Sequence, residues 1–399
     1  MIDAGTDPSS GQRKQLRRSG FRTRAEAEDA MTKALAAVNA GVWTDDQGIT
    51  VGDWLDQWLA ELLERGRSPK TLANYRGHVR DVWKPKLGRL RLRDLRRAHI
   101  ERTLAELGRP VVAADRAKGN VGRRIGQRTP STIDGYRRTL RSALSTAQRR
   151  GLITMNPAEG RMDAIPDRHD EDDRTVWEPE QTARFLAHVA TDRLAALYEL
   201  AAYAGLRRAE LCGLRWSDLD PGVGAGLTIR QTVVEVSLSQ LTPAQRICPY
   251  CASEHAGRLF KRPKSRAGRR WVPLARPARE ALVAHRARQM EERAMFGPDY
   301  SDHDLVFCRM DGAPLRPGAV TVAFEGHVIA CGLPTVRLHD TRHGACSLML
   351  AGGVPIEVVQ MIMGHSSPAV TRKVYAHVMR RATADQVNAA TDLLTRLRE

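Results

Sequence analysis

From about Gly48 the apolar positions fall at three- and four-residue spacings. In "TVGDWLDQWLAELLERG", Trp54, Leu55, Trp58, Leu59 and Leu62 share one face of a predicted helix. "SPKTLANYRGHVRDVWKPKLG" keeps the helical period behind Ser68 as N-cap and Pro69 in the first turn. "TPSTIDGYRRTLRSALSTAQRRGLI" does the same behind Thr129 and Pro130, and stops at Gly151. Both helices set an apolar face against one of arginine, histidine and lysine. Between them, "GRPVVAADRAKGNVGRRIGQR" (residues 108–128) breaks the period and predicts an exposed basic loop. Upstream, an alanine-rich helix is predicted from about Thr23, capped by Thr23 and Glu26 in a Thr-x-x-Glu pattern. Downstream the pattern is mixed. A helix through "LYELAAYAGLRRAELCGLRW" breaks at Gly205, and "LTIRQTVVEV" (227–236) and "RRWVPLA" (269–275) are strand-like. Further helices are predicted through "LHDTRHGACSLML" and after Ser367 and Pro368. The predicted fold class is mainly α with small β elements.

A chain of 399 residues exceeds one ordinary domain. Residues 1–46 form a small basic unit, expected to be partial because little before Gly11 could serve as a first strand. Residues 47–165 form a helical unit, and residues 175–399 a larger mixed one. The switch to Pro, Asp and Glu between about residues 161 and 176 predicts a linker. "LTPAQRICPYCASEHAGRLF" (241–260) reads as an insertion between the strands. A hydrophobic fraction of 42% supports folded cores rather than global disorder. With no run of 18 apolar residues and no signal segment, a cytoplasmic protein with no membrane partner is expected. Six cysteines do not make a disulfide framework, and Cys212, Cys308, Cys331 and Cys346 read as reduced and mostly buried.

The formal net charge of +17 favours a polyanionic partner. That partner could be DNA, RNA or an anionic membrane surface; Arg13, Lys14, Arg17 and Arg18 in the first unit, Lys70, Arg76 and Arg137 on the helices, and Lys261 further on are the candidate phosphate contacts. The competing reading is a solvated surface in an arginine-biased chain.

The candidate chemistry is concentrated in the last unit. Arg207 follows the break at Gly205, where a backbone bend allows close approach to a phosphate, and Glu210 is placed to brace the local helix. Lys261 and Lys264 are the only lysines between residues 119 and 372, which suggests that a titratable amine is wanted there. His339 and Arg342, three apart, project to one face of a predicted helix. Gly364 and His365 precede a helix that carries Tyr375. Cys248-x-x-Cys251 with His255 has the spacing of a zinc knuckle, but Cys308 and His303 lie far off in sequence and no fourth ligand is obvious. The competing reading is two exposed thiols in a loosely packed loop.

The set Arg207-x-x-Glu210, Lys264 before a strand, His339-x-x-Arg342, Gly364-His365 and Tyr375, in this order, resembles the catalytic set of the tyrosine recombinase (phage integrase) family. The resemblance implies a partial arm-binding domain at residues 1–46, a helical core-binding domain and an α+β catalytic domain. It implies a site-specific DNA recombinase, integrating or excising a mobile element through a 3′-phosphotyrosine. Arg207, Arg342 and His365 would hold the phosphate, His339 would accept the Tyr375 proton, and Lys264 would protonate the leaving 5′ oxygen. The implied partners are double-stranded DNA attachment sites, a homotetramer on DNA and an accessory directionality factor. Neither ATP nor a catalytic metal is required, and a structural zinc would be an addition. Rival readings are a type IB topoisomerase, a catalytically inactive DNA-binding regulator, and a metallohydrolase using His339 and His343. Arg342 beside that pair would repel a cation.

Overall fold

Ile2–Thr6 (β1) and Arg13–Leu16 (β2) pair antiparallel, Ile2 opposite Leu16, and Arg24–Asn39 (α1) packs against β1. A first strand does precede Gly11, contrary to the sequence expectation. Thr23 Oγ1 accepts the Glu26 amide at 3.2 Å, and the Glu26 carboxylate accepts the Arg22 amide, so the predicted cap forms. The computed structural model describes residues 2–6, 13–16, 20–39, 48–109, 128–165, 176–220, 225–248, 253–263 and 265–364. It comprises two units, Met1–Glu171 and Asp172–Glu399.

In the first unit Val51–Glu64 (α2), Pro69–His78 (α3), Lys84–Leu87 (α4), Arg97–Gly108 (α5) and Pro130–Arg149 (α6) enclose one core. Trp54, Leu55 and Trp58 are buried there as the period predicts, and the Trp54 indole donates to Ala143 O on α6. Thr129 caps α6 through the Thr132 amide, whereas Ser68 makes no side-chain cap on α3. Between α3 and α4 lies a π-helical turn, Val79–Trp83, in which the Lys84 amide reaches back five residues to Val79 O. Pro85 follows at once; it has no N–H and crowds the preceding turn, so a widened turn accommodates it without breaking the rod. Met162 is buried in this core and Ile165 packs on it, so the start of the predicted linker belongs to the helical unit.

The second unit runs Pro179–His188 (α7), Ala195–Tyr203 (α8), Arg208–Leu211 (α9), Gly226–Thr228 (β3), Thr232–Glu235 (β4), Pro243–Arg246 (α10), Arg258–Lys261 (β5), Trp271–Pro273 (β6), Arg276–Phe296 (α11), Pro317–Ala330 (α12), Thr341–Ala351 (α13) and Ile356–Met363 (α14). The apolar helix α8 is central and packs on α11 and α13. The single strand predicted over 227–236 is two. β3 pairs with β6, β4 pairs with β5, and both pairings are antiparallel. The insertion thus leaves and re-enters the fold through one hairpin, with Thr232 opposite Lys261 and Glu235 opposite Arg258. No helix among the described residues is long and apolar enough to cross a membrane. None of the described cysteines forms a disulfide.

Candidate active site

Gly205 ends α8 in the left-handed region, φ +60°, where a side chain would be strained; a Cβ there would also stand 2.6 Å from Met363 Cε. The chain turns at this point and delivers Arg207 to the N-cap of α9. Arg207 and Glu210 close a capping box: the Arg207 amide donates to Glu210 Oε2 at 2.8 Å, and its Nη1 donates to Oε1 at 2.7 Å. Glu210 is therefore the local brace that the sequence suggests.

Glu210 has a second cation, which the sequence reading missed. Arg270 donates to it through both Nη1 and Nη2 at 3.0 Å, and both side chains are almost completely buried. Burial alone would raise the Glu210 pKa, but Arg270 first and Arg207 second pull it down to about 2. The signal for Arg270 was present. From Arg269 to Leu274 burial alternates outward and inward, which puts Arg270 on the same inward face as Val272 and Leu274. An arginine at an inward strand position calls for a buried acid.

Three arginines converge on the end of α14. Arg270 Nε donates to Ile362 O, Arg342 Nη2 to Met363 O, and Arg207 Nη2 to Gly364 O at 3.2 Å. The last carbonyls of a helix lack intrahelical donors and carry partial negative charge, so cations suit them. Gly364 closes the helix at φ +61°, and a Cβ there would meet Ala267 O at 2.6 Å. Arg342, buried on the first turn of α13, also donates through Nη1 to Gly205 O at 2.6 Å. Both ends of the arrangement, the break after α8 and the end of α14, are thus held by one guanidinium.

His339 is not on the helix with Arg342, as the spacing predicts, but in the turn before α13. That turn is fixed by Arg337, whose guanidinium donates twice to Asp340, and by Thr341 Oγ1 donating to Leu338 O. The His339 ring keeps access to solvent, yet its crowded setting first, and the Arg342 charge second, hold its pKa below the ordinary histidine value. It is neutral near pH 7 and able to accept a proton. The His343 ring lies 5.8 Å away at a steep angle.

Lys264, His365 and Tyr375 lie outside the described residues, as do Arg17, Arg18 and Cys251. Lys261 ends β5, three residues before Lys264. Arg13 and Lys14 are on β2, Lys70 is exposed on α3, and Arg76 is half-buried there. Arg137 is spent inside the helical unit. It pairs with Asp134 at 2.9 Å and donates to Ala158 O and Gly160 O, geometry that makes it a brace rather than an open phosphate contact. Cys248 is buried rather than exposed, and His255 is buried with it.

The chain belongs to the phage integrase family, whose profile matches residues 176–381, just over half its length. It is a tyrosine recombinase, a site-specific enzyme that cuts and rejoins DNA. A tyrosine recombinase XerC-like protein of Caldanaerobacter subterraneus subsp. tengcongensis is 25% identical over 383 residues, covering 93% of this chain and 90% of that one. The fold is that of the Tn1549 transposon integrase solved with a circular intermediate DNA (20% identity, TM-score 0.64, 85% of this chain and 99% of the other). It is also that of a lambda integrase tetramer bound to a Holliday junction (19% identity, TM-score 0.53, 92% and 90%).

Proposed function

We propose that Tyr375 is the nucleophile of this recombinase and that the arginine cluster at the end of α14 binds the phosphate it attacks. The supporting observation is the convergence of Arg207 and Arg342 on the carbonyls of Met363 and Gly364, directly before His365 in the chain. In the reaction Tyr375 Oη attacks the phosphorus, and its proton passes to neutral His339. The bond to the 5′ oxygen breaks, Lys264 protonates that oxygen, and a 3′-phosphotyrosine and a free 5′ hydroxyl result. A 5′ hydroxyl from another strand then attacks the phosphotyrosine and regenerates the tyrosine, so no energy source is needed. Arg207, Arg342 and His365 stabilise the charge that builds on the non-bridging oxygens. The substrates are paired double-stranded attachment sites bounding a mobile element, acted on by four copies of the chain with an accessory protein setting direction. The test is a suicide DNA substrate. Wild type should yield a covalent 3′ adduct mapped to Tyr375, and Tyr375→Phe should bind DNA without forming it. An adduct at any other residue would falsify the assignment.

A further inference from the structure

In the helical unit, α3 ends on His78, whose Nδ1 lies 2.7 Å from the Thr139 hydroxyl on α6. That hydroxyl is buried and also donates to Gly135 O, one turn earlier on the same helix, at 3.2 Å. A hydroxyl carries a single proton. Bonded back to its own helix, Thr139 accepts from the ring, and both contacts form together only when Nδ1 carries the imidazole proton. Nε2 is then a bare acceptor. It has no hydrogen-bond partner among the described residues and is not buried, the ring being half-covered. Burial first holds the His78 pKa below the ordinary histidine value; Asp81 on the π-helical turn opposes this, and Arg138 on α6 adds to it. The ring is therefore neutral at neutral pH, and Nε2 keeps its lone pair.

The surroundings favour an incoming amine. The Asp81 carboxylate beside the ring disfavours an anion, while Arg128 and Arg138 set positive charge further out. Tyr136 packs against the ring at 4.6 Å, and the Arg128 guanidinium lies over Tyr136 at 5.4 Å, so the imidazole is wedged in place. Two helical glycines flank it. A Cβ on Gly77 would have only an Asp81 oxygen within reach, at 4.0 Å, and one on Gly135 only the His78 ring, at 3.8 Å. Neither glycine has a positive φ, so the backbone does not require them, and each weakens its helix relative to alanine. Their effect is to keep the surface beside Nε2 clear. A helix surface presenting an acceptor without a proton suits the major groove, where adenine N6 and cytosine N4 are the donors. We propose that His78, held as the Nδ1–H tautomer by Thr139, reads the exocyclic amine of one base in the DNA site. The inference rests on the chain acting at a specific duplex site, and not on the assignment of Tyr375.

The test is selection by the full chain from a library of randomised DNA duplexes. Wild type should prefer adenine or cytosine at one position. His78→Asn should lose about 5- to 150-fold of that preference and keep the others. Asparagine still donates to Thr139 from near the Nδ1 position but ends short of Nε2. Unchanged affinity for a non-specific duplex shows that this variant is folded. A second arm needs no variant. Removing the amine from that base, with purine for adenine or pyrimidinone for cytosine, should cost wild type the same factor and His78→Asn nothing. Nitrogen NMR of the imidazole should place the proton on Nδ1 in wild type, and Thr139→Val should lose this fixed state. The proposal falls if His78→Asn selects the same base at every position, if the amine is removed from the wild-type site without cost, or if the proton sits on Nε2. It also falls if His78→Asn weakens specific and non-specific duplexes alike with a smaller salt slope, the mark of a phosphate contact. Tyr375→Phe should select the wild-type sequence, which keeps a failure here apart from a failure of the assigned nucleophile.

Discussion

Arg270 and Glu210, sixty residues apart in the chain, hold each other through two parallel hydrogen bonds of 3.0 Å inside the larger core. The pair orients Arg207 through the shared carboxylate and α14 through the Ile362 carbonyl. Removing one partner leaves an uncompensated buried charge, so Arg270→Ala should destabilise the second unit by about 3–5 kcal/mol. Arg270→Lys keeps the charge but loses the fork, and should recover only part of this. Urea unfolding monitored by tryptophan fluorescence measures both, and a wild-type midpoint in Arg270→Ala would remove the pair from its assigned role.

The same carboxylate sets an acid limit. Its folded pKa of about 2 lies below the ordinary 4.5, so its contribution is fully present above pH 4.5 and is lost as the pH falls toward 2. The contribution is on the order of 3 kcal/mol. Glu210→Gln should be less stable at neutral pH and should flatten the acid limb of a stability–pH curve.

Much of this was legible in the chain. The apolar stripe of α2, the break at Gly205 and the order of Arg207, His339 and Arg342 came from period, glycine and spacing, all local signals. What was not legible depended on distant partners. One acid serving two arginines cannot be read from a Glu three residues after an Arg. His339 lies before its helix because Arg337 and Asp340 hold a turn there that spacing does not encode. The division of 227–236 into two strands depends on partners 29 and 45 residues away, Lys261 for Thr232 and Val272 for Leu227.

Arg207 and Arg342 should respond differently to truncation. Each is expected to lose about a hundredfold in cleavage rate, the usual cost of a removed transition-state donor. Arg342 is buried and also satisfies Gly205 O and Met363 O, so Arg342→Ala should lower the melting temperature as well. Arg207 is more exposed, and Arg207→Ala should keep most of its stability. Equal melting temperatures for the two variants would contradict the geometry.

Lys264 and Lys261 separate by leaving group. On a substrate with sulfur in place of the scissile 5′ oxygen no proton is needed. Lys264→Ala should regain much of its activity there, while Arg207→Ala should not. Lys261→Ala should only weaken DNA binding. Rescue of Lys261→Ala instead would move the general acid to that position.

Gly364→Ala and Gly205→Ala test the backbone. Both need φ near +60°, and both lack room for a Cβ. Each should destabilise by more than about 1 kcal/mol and reduce cleavage further than stability alone explains. Cleavage at wild-type rate by Gly364→Ala would show that the end of α14 does not set the site.

Residues 384–399 lie outside the described part of the chain; the spacing of Val387, Ala390, Leu393, Leu394 and Leu397 in the sequence predicts an amphipathic helix there. Their deletion should spare binding of one protomer to a half-site and remove the four-protomer synaptic complex on native gels. Intact synapsis would count against docking between protomers.

The internal commitments of arginine also bear on how tightly the protein grips DNA. The sequence count is +17, but ions leave a phosphate only when a protein cation takes their place. Arg270 already faces a carboxylate and a helix end, and Arg137 a carboxylate and two carbonyls. Paired in this way, such groups are cancelled at a distance by their own carboxylates and release no bound ions when DNA arrives. Dependence of affinity on salt concentration should therefore be shallower than the arginine content suggests, set by the arginines and lysines left open at the surface.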